Sequence, residues 1–346
     1  MPAVELVLLV LLVVCIIWTF AVVLRDPAGL QVAWLCGFLL GTEFLVFLSR
    51  QFFRSFGVWV SEAAYRAGLV SAPPLANPSA MTKWLEQSWQ LTVHVLFASI
   101  EYVLLFVAPR DQIGIPPMWE LQDLPNVWTP LPWELGDKEL HWLRLLCLAQ
   151  AAVWMYTAGM HVFYDKRRKD YQVMLTHHVV TIGLLAGAME KNYLRIALLV
   201  LYLNDATDVF IDTLKMANYA KLRGAKAMYI AEVAFLGVIG SMGYFRMYHE
   251  PIRVNYTTSI VAHKTATSLM DPQKKAAIGI DENTPLWNIF FQRNWSYHPN
   301  NENDYFELLN VLLLILFVLH LYWFLLMFKI LFLVLTKDAQ SASREE

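Results

Sequence analysis

Apolar residues in this chain run in long blocks instead of the three-or-four-residue rhythm of a soluble amphipathic helix. Two blocks are nearly pure. Val4–Leu24 is almost free of charge, and Val311–Leu335 is interrupted by His320 and Lys329. A helix that crosses a bilayer needs about 20 mostly apolar residues, and six less pure segments between these two also qualify: Leu30–Leu48, Trp84–Ala108, His141–Tyr164, Gln172–Glu190, Tyr193–Leu214 and Ala227–Met247. With 57% hydrophobic and 16% charged residues in 346, and mean hydropathy +0.42, the pattern predicts an all-α polytopic membrane protein with about eight transmembrane helices. Val4–Leu24 lacks the basic lead and small-residue cleavage site of a signal peptide before Arg25 and Asp26, so it reads as an anchor.

Basic residues sort onto alternate connections. One set holds Arg50, Arg54, Arg66 and Lys83, then Lys166, Arg167, Arg168 and Lys169, then Lys215, Lys221, Arg223 and Lys226. The positive-inside rule makes this set cytosolic together with both termini. The opposite set includes a long connection, 249–306, expected to be a lumenal loop, and its sequons at Asn255 and Asn294 are candidate glycosylation sites that require that face. Ala72–Pro78 is a proline-rich break, and Pro109–Pro132, rich in Pro and Trp, is expected at the membrane interface.

A net charge of −2 supplies no basic excess for binding nucleic acid, which removes that partner class. Cys15, Cys36 and Cys147 are widely spaced inside apolar runs and read as packing residues, with neither a disulfide framework nor a zinc site.

Ionisable side chains inside a lipid-embedded helix cost about 2.5–3.5 kcal/mol each, so they face a bundle interior or a cavity. The fifth span carries His177, His178 and Thr181; the sixth carries Asn204, Asp205, Asp208 and Asp212. The three aspartates fall at i, i+3 and i+7, on one helical stripe. Further polar stripes occur at Gln90, His94 and Glu101, at Gln150, Trp154 and His161, and at Asn310, His320 and Trp323. His94, His161 and His320 read as hydrogen-bonding packing residues. Counting along the helices from their cytosolic ends sets His177 and Asp208 level, each roughly 9 Å in, and the short connection at Lys191 and Asn192 makes their helices antiparallel neighbours. A His–Asp pair at one depth is a catalytic candidate.

A metal site fits less well, because adjacent histidines on a helix point about 100° apart. A proton-coupled transporter would call for repeated halves or broken helices, and neither is visible. The Lys166–Lys169 run and the Lys215–Lys226 group flank the cytosolic mouth, where they would attract a polyphosphate headgroup.

The stretch Lys166–Ala220, with its basic lead, His177-His178, Asp205 and Asp208, and the close Lys215-Met-Ala-Asn-Tyr219, resembles the Lag motif of ceramide synthases in the TLC family. Lys83-Trp84-Leu-Glu86-Gln-Ser-Trp89 looks like the entry to that domain, and Leu319-His320-Leu-Tyr-Trp323 like its last helix. The resemblance implies a two-helix N-terminal anchor region over 1–80, a TLC catalytic domain over 81–335 with six helices bundled around an intramembrane polar cavity, and a cytosolic tail over 336–346. Where the family usually has His and Glu, this chain has Asn204 and Asp212, and its 249–306 connection is far longer than the family's.

The resemblance further implies an endoplasmic-reticulum enzyme that N-acylates a sphingoid long-chain base with fatty acyl-CoA. No cofactor and no metal are expected, since acyl-CoA is a substrate; the lipid bilayer is a partner, and an accessory subunit or homo-oligomer is left open. A thioester expels its thiolate without a strong acid, so the site chiefly needs a deprotonated amine. His177 is the expected base or nucleophile and Asp208 its orienting partner. His178 and Asp205 join the catalytic group, while Asn204, Asp212, Thr181 and Lys166, Arg167, Arg168 and Lys169 are expected to bind substrate. Ser343, followed by Arg344, Glu345 and Glu346, is a candidate phosphorylation site.

Overall fold

The computed structural model describes residues 3–26, 29–108, 113–129, 135–164, 170–224, 229–261 and 306–335, and no strand occurs among them. The long elements are α1 (Ala3–Leu24), α2 (Leu30–Arg66), α3 (Pro78–Tyr102), α4 (Asp137–Phe163), α5 (Tyr171–Lys191), α6 (Leu194–Tyr219), α7 (Ile230–Ser241) and α8 (Phe306–Leu335). α3 widens into a π-helical turn at Val103–Val107, and α7 runs on as π-helix through Met242–Asn255 and Thr257–Val261. Among the described residues, seven helices are long and apolar enough to cross a membrane. α6, at 26 residues, is not among these seven; it is the helix that carries Asn204, Asp205, Asp208 and Asp212. The all-α polytopic class expected from the sequence is what the chain adopts.

Several helices outrun their expected bounds, α2 and α7 by the most. α2 continues past Leu48 to Arg66, 37 residues or about 55 Å of helix, because Phe52, Phe56 and Trp59 recur at helical spacing and stack in succession. The connection expected as a loop from His249 is helical through Val261. Pro251 lies inside this stretch, where its missing N–H interrupts an α ladder and the wider π turn takes over.

The described residues form two compact units. The first takes in the chain up to Thr42, Glu101–Val200 and Glu250–Phe317. In it α1, expected as a simple anchor, packs along α5. Gly183 and Gly187, one turn apart on α5, make that side of the helix narrow: a Cβ at Gly183 would meet Cys15 Sγ at 3.3 Å, and one at Gly187 would lie within 3.2 Å of three side-chain carbons of Leu309 in α8. Small residues let membrane helices approach this closely. Trp18 Nε1 and Arg25 Nη1 both donate to the Glu190 carboxylate, tying α1 to the end of α5. A buried ion pair closes another part of the unit. Arg195 donates to Glu139 Oε1 and Oε2 at 2.5 and 2.8 Å, and to the carbonyls of Asn126 and Thr129. Beside these carbonyls Trp128 meets Tyr193 and Phe306 edge-on and donates to the Thr257 carbonyl at 3.2 Å.

The second unit takes in Glu43–Ile100, Leu201–His249 and the chain from Val318. Leu75, Trp84, Leu85, Met216 and Ala220 form a buried apolar cluster in it. The proline-rich break is thereby built into the packing: Leu75 N donates to Ser61 Oγ, and Trp84 Nε1 to the Phe53 carbonyl. The Trp84 ring occupies the space that a Cβ on Gly57 would fill.

Candidate functional site

The first unit contains a buried histidine cluster. His177 and His178 are 7% and 2% exposed on α5, a helix of largely apolar composition. The Trp154 ring of α4 stands edge-on to both, with centroids 5.2 Å from His177 and 5.8 Å from His178. Trp154 is itself held in place. Its Nε1 donates to Gln150 Oε1 at 3.1 Å, and Gln150 Nε2 donates to the wholly buried Glu101 at 2.9 Å. His161 Nε2 donates to the Tyr171 carbonyl at 3.1 Å, its ring stacks on Tyr171, and it lies 5.4 Å from His178. The Thr181 hydroxyl, one turn beyond His177, is enclosed without a hydrogen-bond partner among the described residues.

α5 ends sharply. Asn192 adopts the left-handed conformation (φ 57°) and Tyr193 N returns to the Ala188 carbonyl at 2.9 Å. Arg144 locks the turn through the Met189 carbonyl and Asn192 Oδ1.

The second unit contains a carboxylate cluster on α6. Asp205 and Asp212 are each 2% exposed. Gln87, Gln90 and His94 on α3 repeat the i, i+3, i+7 spacing of the three aspartates, so each helix presents one polar stripe. His94 Nδ1 lies 2.8 Å from Asp212 Oδ2, while Gln87 Nε2 donates to Asp212 Oδ1. His94 Nε2 is 4.0 Å from Asp205 Oδ1. Asp208 has a different partner: Arg246 Nη2 donates to its Oδ1 at 2.6 Å and to the Asn204 carbonyl at 3.2 Å. Arg246 is 3% exposed and comes from the π-helical continuation of α7. His320, fully buried on α8, neighbours Trp323 at 6.1 Å.

His177, His178 and Thr181 therefore occur in one unit, and Asn204, Asp205, Asp208 and Asp212 in the other. Sequence reasoning passed over Arg246 and Gln87. A signal for Arg246 was present, since it is a charge near the end of an apolar span, but it reads as interfacial if the helix is taken to stop at Met247. The sequon at Asn255 needs correction as a loop feature: Asn255 is helical and Thr257 is 0% exposed, because the span continues beyond it. Lys166, Arg167, Arg168 and Lys169, Asn294 and Ser343 lie outside the described residues. Among the described residues no three His, Cys, Asp or Glu side chains are grouped to hold a metal ion.

Comparison with known proteins adds a family to this geometry. Residues 83–329 match the TLC domain. The chain is similar to ceramide synthase 1 LOH3 of Arabidopsis thaliana, 28% identical over 189 residues covering 55% of this chain and 51% of that protein. It is similar to ASC1-like protein 3 of Oryza sativa subsp. japonica, 25% identical over 243 residues covering 70% and 69%, and to ceramide synthase 1 of Homo sapiens, 28% identical over 253 residues covering 72% and 60%. The chain thus spans about half the length of the first of these relatives and somewhat more of the other two. The domain match takes in well over half of the chain, including both the histidine cluster and the carboxylate stripe, and the chain belongs to the TLC-domain family.

Proposed function

We propose that the protein is a ceramide synthase, an enzyme of the endoplasmic-reticulum membrane that transfers the acyl group of a fatty acyl-CoA to the amine of a sphingoid long-chain base. The observation that carries this reading is the burial of His177 and His178, under a hydrogen-bonded indole, in a helix apolar enough to span a membrane. A packing role would not call for two adjacent imidazoles there, and several relatives are named ceramide synthases.

In this reading His177 serves as the base or nucleophile. Asp208, held by Arg246, orients it and stabilises its charged form. His178 and Asp205 act beside them, Asn204, Asp212 and Thr181 line the path of the base, and the basic run Lys166–Lys169 receives the CoA phosphates from the cytosolic side, where both termini also lie.

The test is amide formation from acyl-CoA and sphinganine in microsomes expressing the chain. His177→Ala is expected to lower turnover by at least about a hundredfold while the protein still inserts, and Asp208→Asn to lower it substantially with Arg246 still bonded. No amide from the wild-type chain, with correct insertion, would instead indicate a non-catalytic lipid-binding member of the family. Normal turnover in His177→Ala would remove His177 from the chemistry.

A further inference from the structure

We infer that the Thr181 hydroxyl donates a hydrogen bond to the carbonyl oxygen of the acyl thioester and stabilises the negative charge that gathers there during transfer. The inference rests on the acyltransferase reading above, and it turns Thr181 from a residue on the path of the base into a participant in the chemistry. A threonine hydroxyl inside a helix has a partner close at hand, the carbonyl one turn back. The eight other threonines of the α-helices all use it, Thr176 on α5 included, and donate to the carbonyl four residues earlier at 2.6–3.0 Å. Thr181 does not. Its Oγ1 is shut off from solvent and has no hydrogen-bond partner among the described residues, although the His177 carbonyl is the one four residues earlier.

An unbonded hydroxyl inside a protein costs stability. Here the hydroxyl belongs to the residue one turn from His177 on the same helix face, about 6 Å along the axis. The polar chain that supports the histidines, from Trp154 to Gln150 to Glu101, does not include it. A neutral donor kept at a fixed distance from the reacting imidazole and sheltered from water suits an oxygen that becomes charged only in the transition state. In the transfer, the amine nitrogen attacks the thioester carbon and the C=O electron pair moves onto oxygen. Thr181 donates to that oxygen and keeps its own proton. When the pair returns, the C–S bond breaks and CoA leaves as the thiolate. Of the two protons lost from the ammonium of the base, one ends on the CoA thiol and the other goes to solvent. If His177 makes the first bond to carbon, the same oxygen is charged again when the amine displaces the imidazole.

The experiment compares the wild-type chain, Thr181→Val and Thr181→Ser, in amide formation from acyl-CoA and sphinganine and in thermal unfolding without substrate. Valine keeps the branched shape and removes the hydroxyl, whereas serine keeps the hydroxyl. In Thr181→Val, kcat is expected to fall by about a hundredfold or more, with KM for both substrates within a few-fold, and Thr181→Ser is expected to stay within about tenfold of wild type. Thr181→Val should unfold at or above the wild-type temperature, since it removes a buried hydroxyl that bonds to nothing in the protein. A wild-type kcat in Thr181→Val would overturn the inference. So would an unfolding temperature well below wild type, which would assign the hydroxyl to structure. A loss confined to KM for sphinganine, and absent with a long-chain amine that lacks hydroxyls, would place Thr181 on the base and equally overturn it. A wild-type chain that inserts but forms no amide would overturn the acyltransferase reading itself, and this inference with it.

Discussion

Replacing Arg195 by methionine tests whether the ion pair with Glu139 holds the first unit together. Both side chains are 4% exposed, and the guanidinium meets the two carboxylate oxygens at 2.5 and 2.8 Å. Removing one member of a buried pair strands the other charge, at about 3–5 kcal/mol. The carbonyls of Asn126 and Thr129 also lose their donor, which belongs to the same loss and is not added to it. At about 1.4 kcal/mol per tenfold, Arg195→Met should therefore shift the folding equilibrium by roughly two to three and a half orders of magnitude. Adding Glu139→Leu removes the stranded carboxylate, so the double variant should recover most of the loss, because apolar replacement of a whole buried pair is often neutral. The assay is thermal unfolding in detergent, followed by the reactivity of Cys147, whose side chain is 1% exposed on α4 and accessible only on opening. Turnover per folded molecule should be unchanged in both variants. A double variant no more stable than Arg195→Met, or a single variant within about 1 kcal/mol of wild type, would refute the stranded-charge argument.

Gly187→Ala should destabilise by about 1–3 kcal/mol, because its Cβ would overlap Leu309, and Leu309→Ala should relieve the clash in the double variant; additive losses in thermal unfolding would contradict this. Trp154→Phe keeps an aromatic ring beside both histidines but loses the bond to Gln150, so a cost of about 1 kcal/mol in stability is expected with turnover within a few-fold, whereas Trp154→Ala should cost about 3–5 kcal/mol and most of the activity; equal turnover in the two would separate the indole from the histidines. Arg167→Glu with Arg168→Glu should raise KM for acyl-CoA more than KM for sphinganine, since only the CoA carries phosphates, and equal changes in both constants would point to topology instead.

Membrane character and the polar stripes were legible in the sequence because both are local. An unbroken run of about 20 apolar residues is a helix in lipid whatever surrounds it. The spacing of Asp205, Asp208 and Asp212 defines one face without knowledge of any neighbour. The same holds for the pair His177 and His178 and for the short turn at Asn192, whose left-handed residue ends α5 and starts α6 within two positions.

What needed the tertiary structure was the identity of partners. Which residue meets which aspartate depends on how each helix is rotated about its axis, and nothing along the chain encodes that angle. Hence Asp212 pairs with His94, a residue that sequence reading assigned to packing, and Asp208 with Arg246, which it passed over. The reach of α7 through Val261 was hidden for a related reason: Pro251 signals a break on local grounds, yet a π-helical turn absorbs it. The close approach of α1 and α8 to α5 depends on two glycines that look unremarkable in an apolar span: Gly183 beside Cys15 of α1 and Gly187 beside Leu309 of α8.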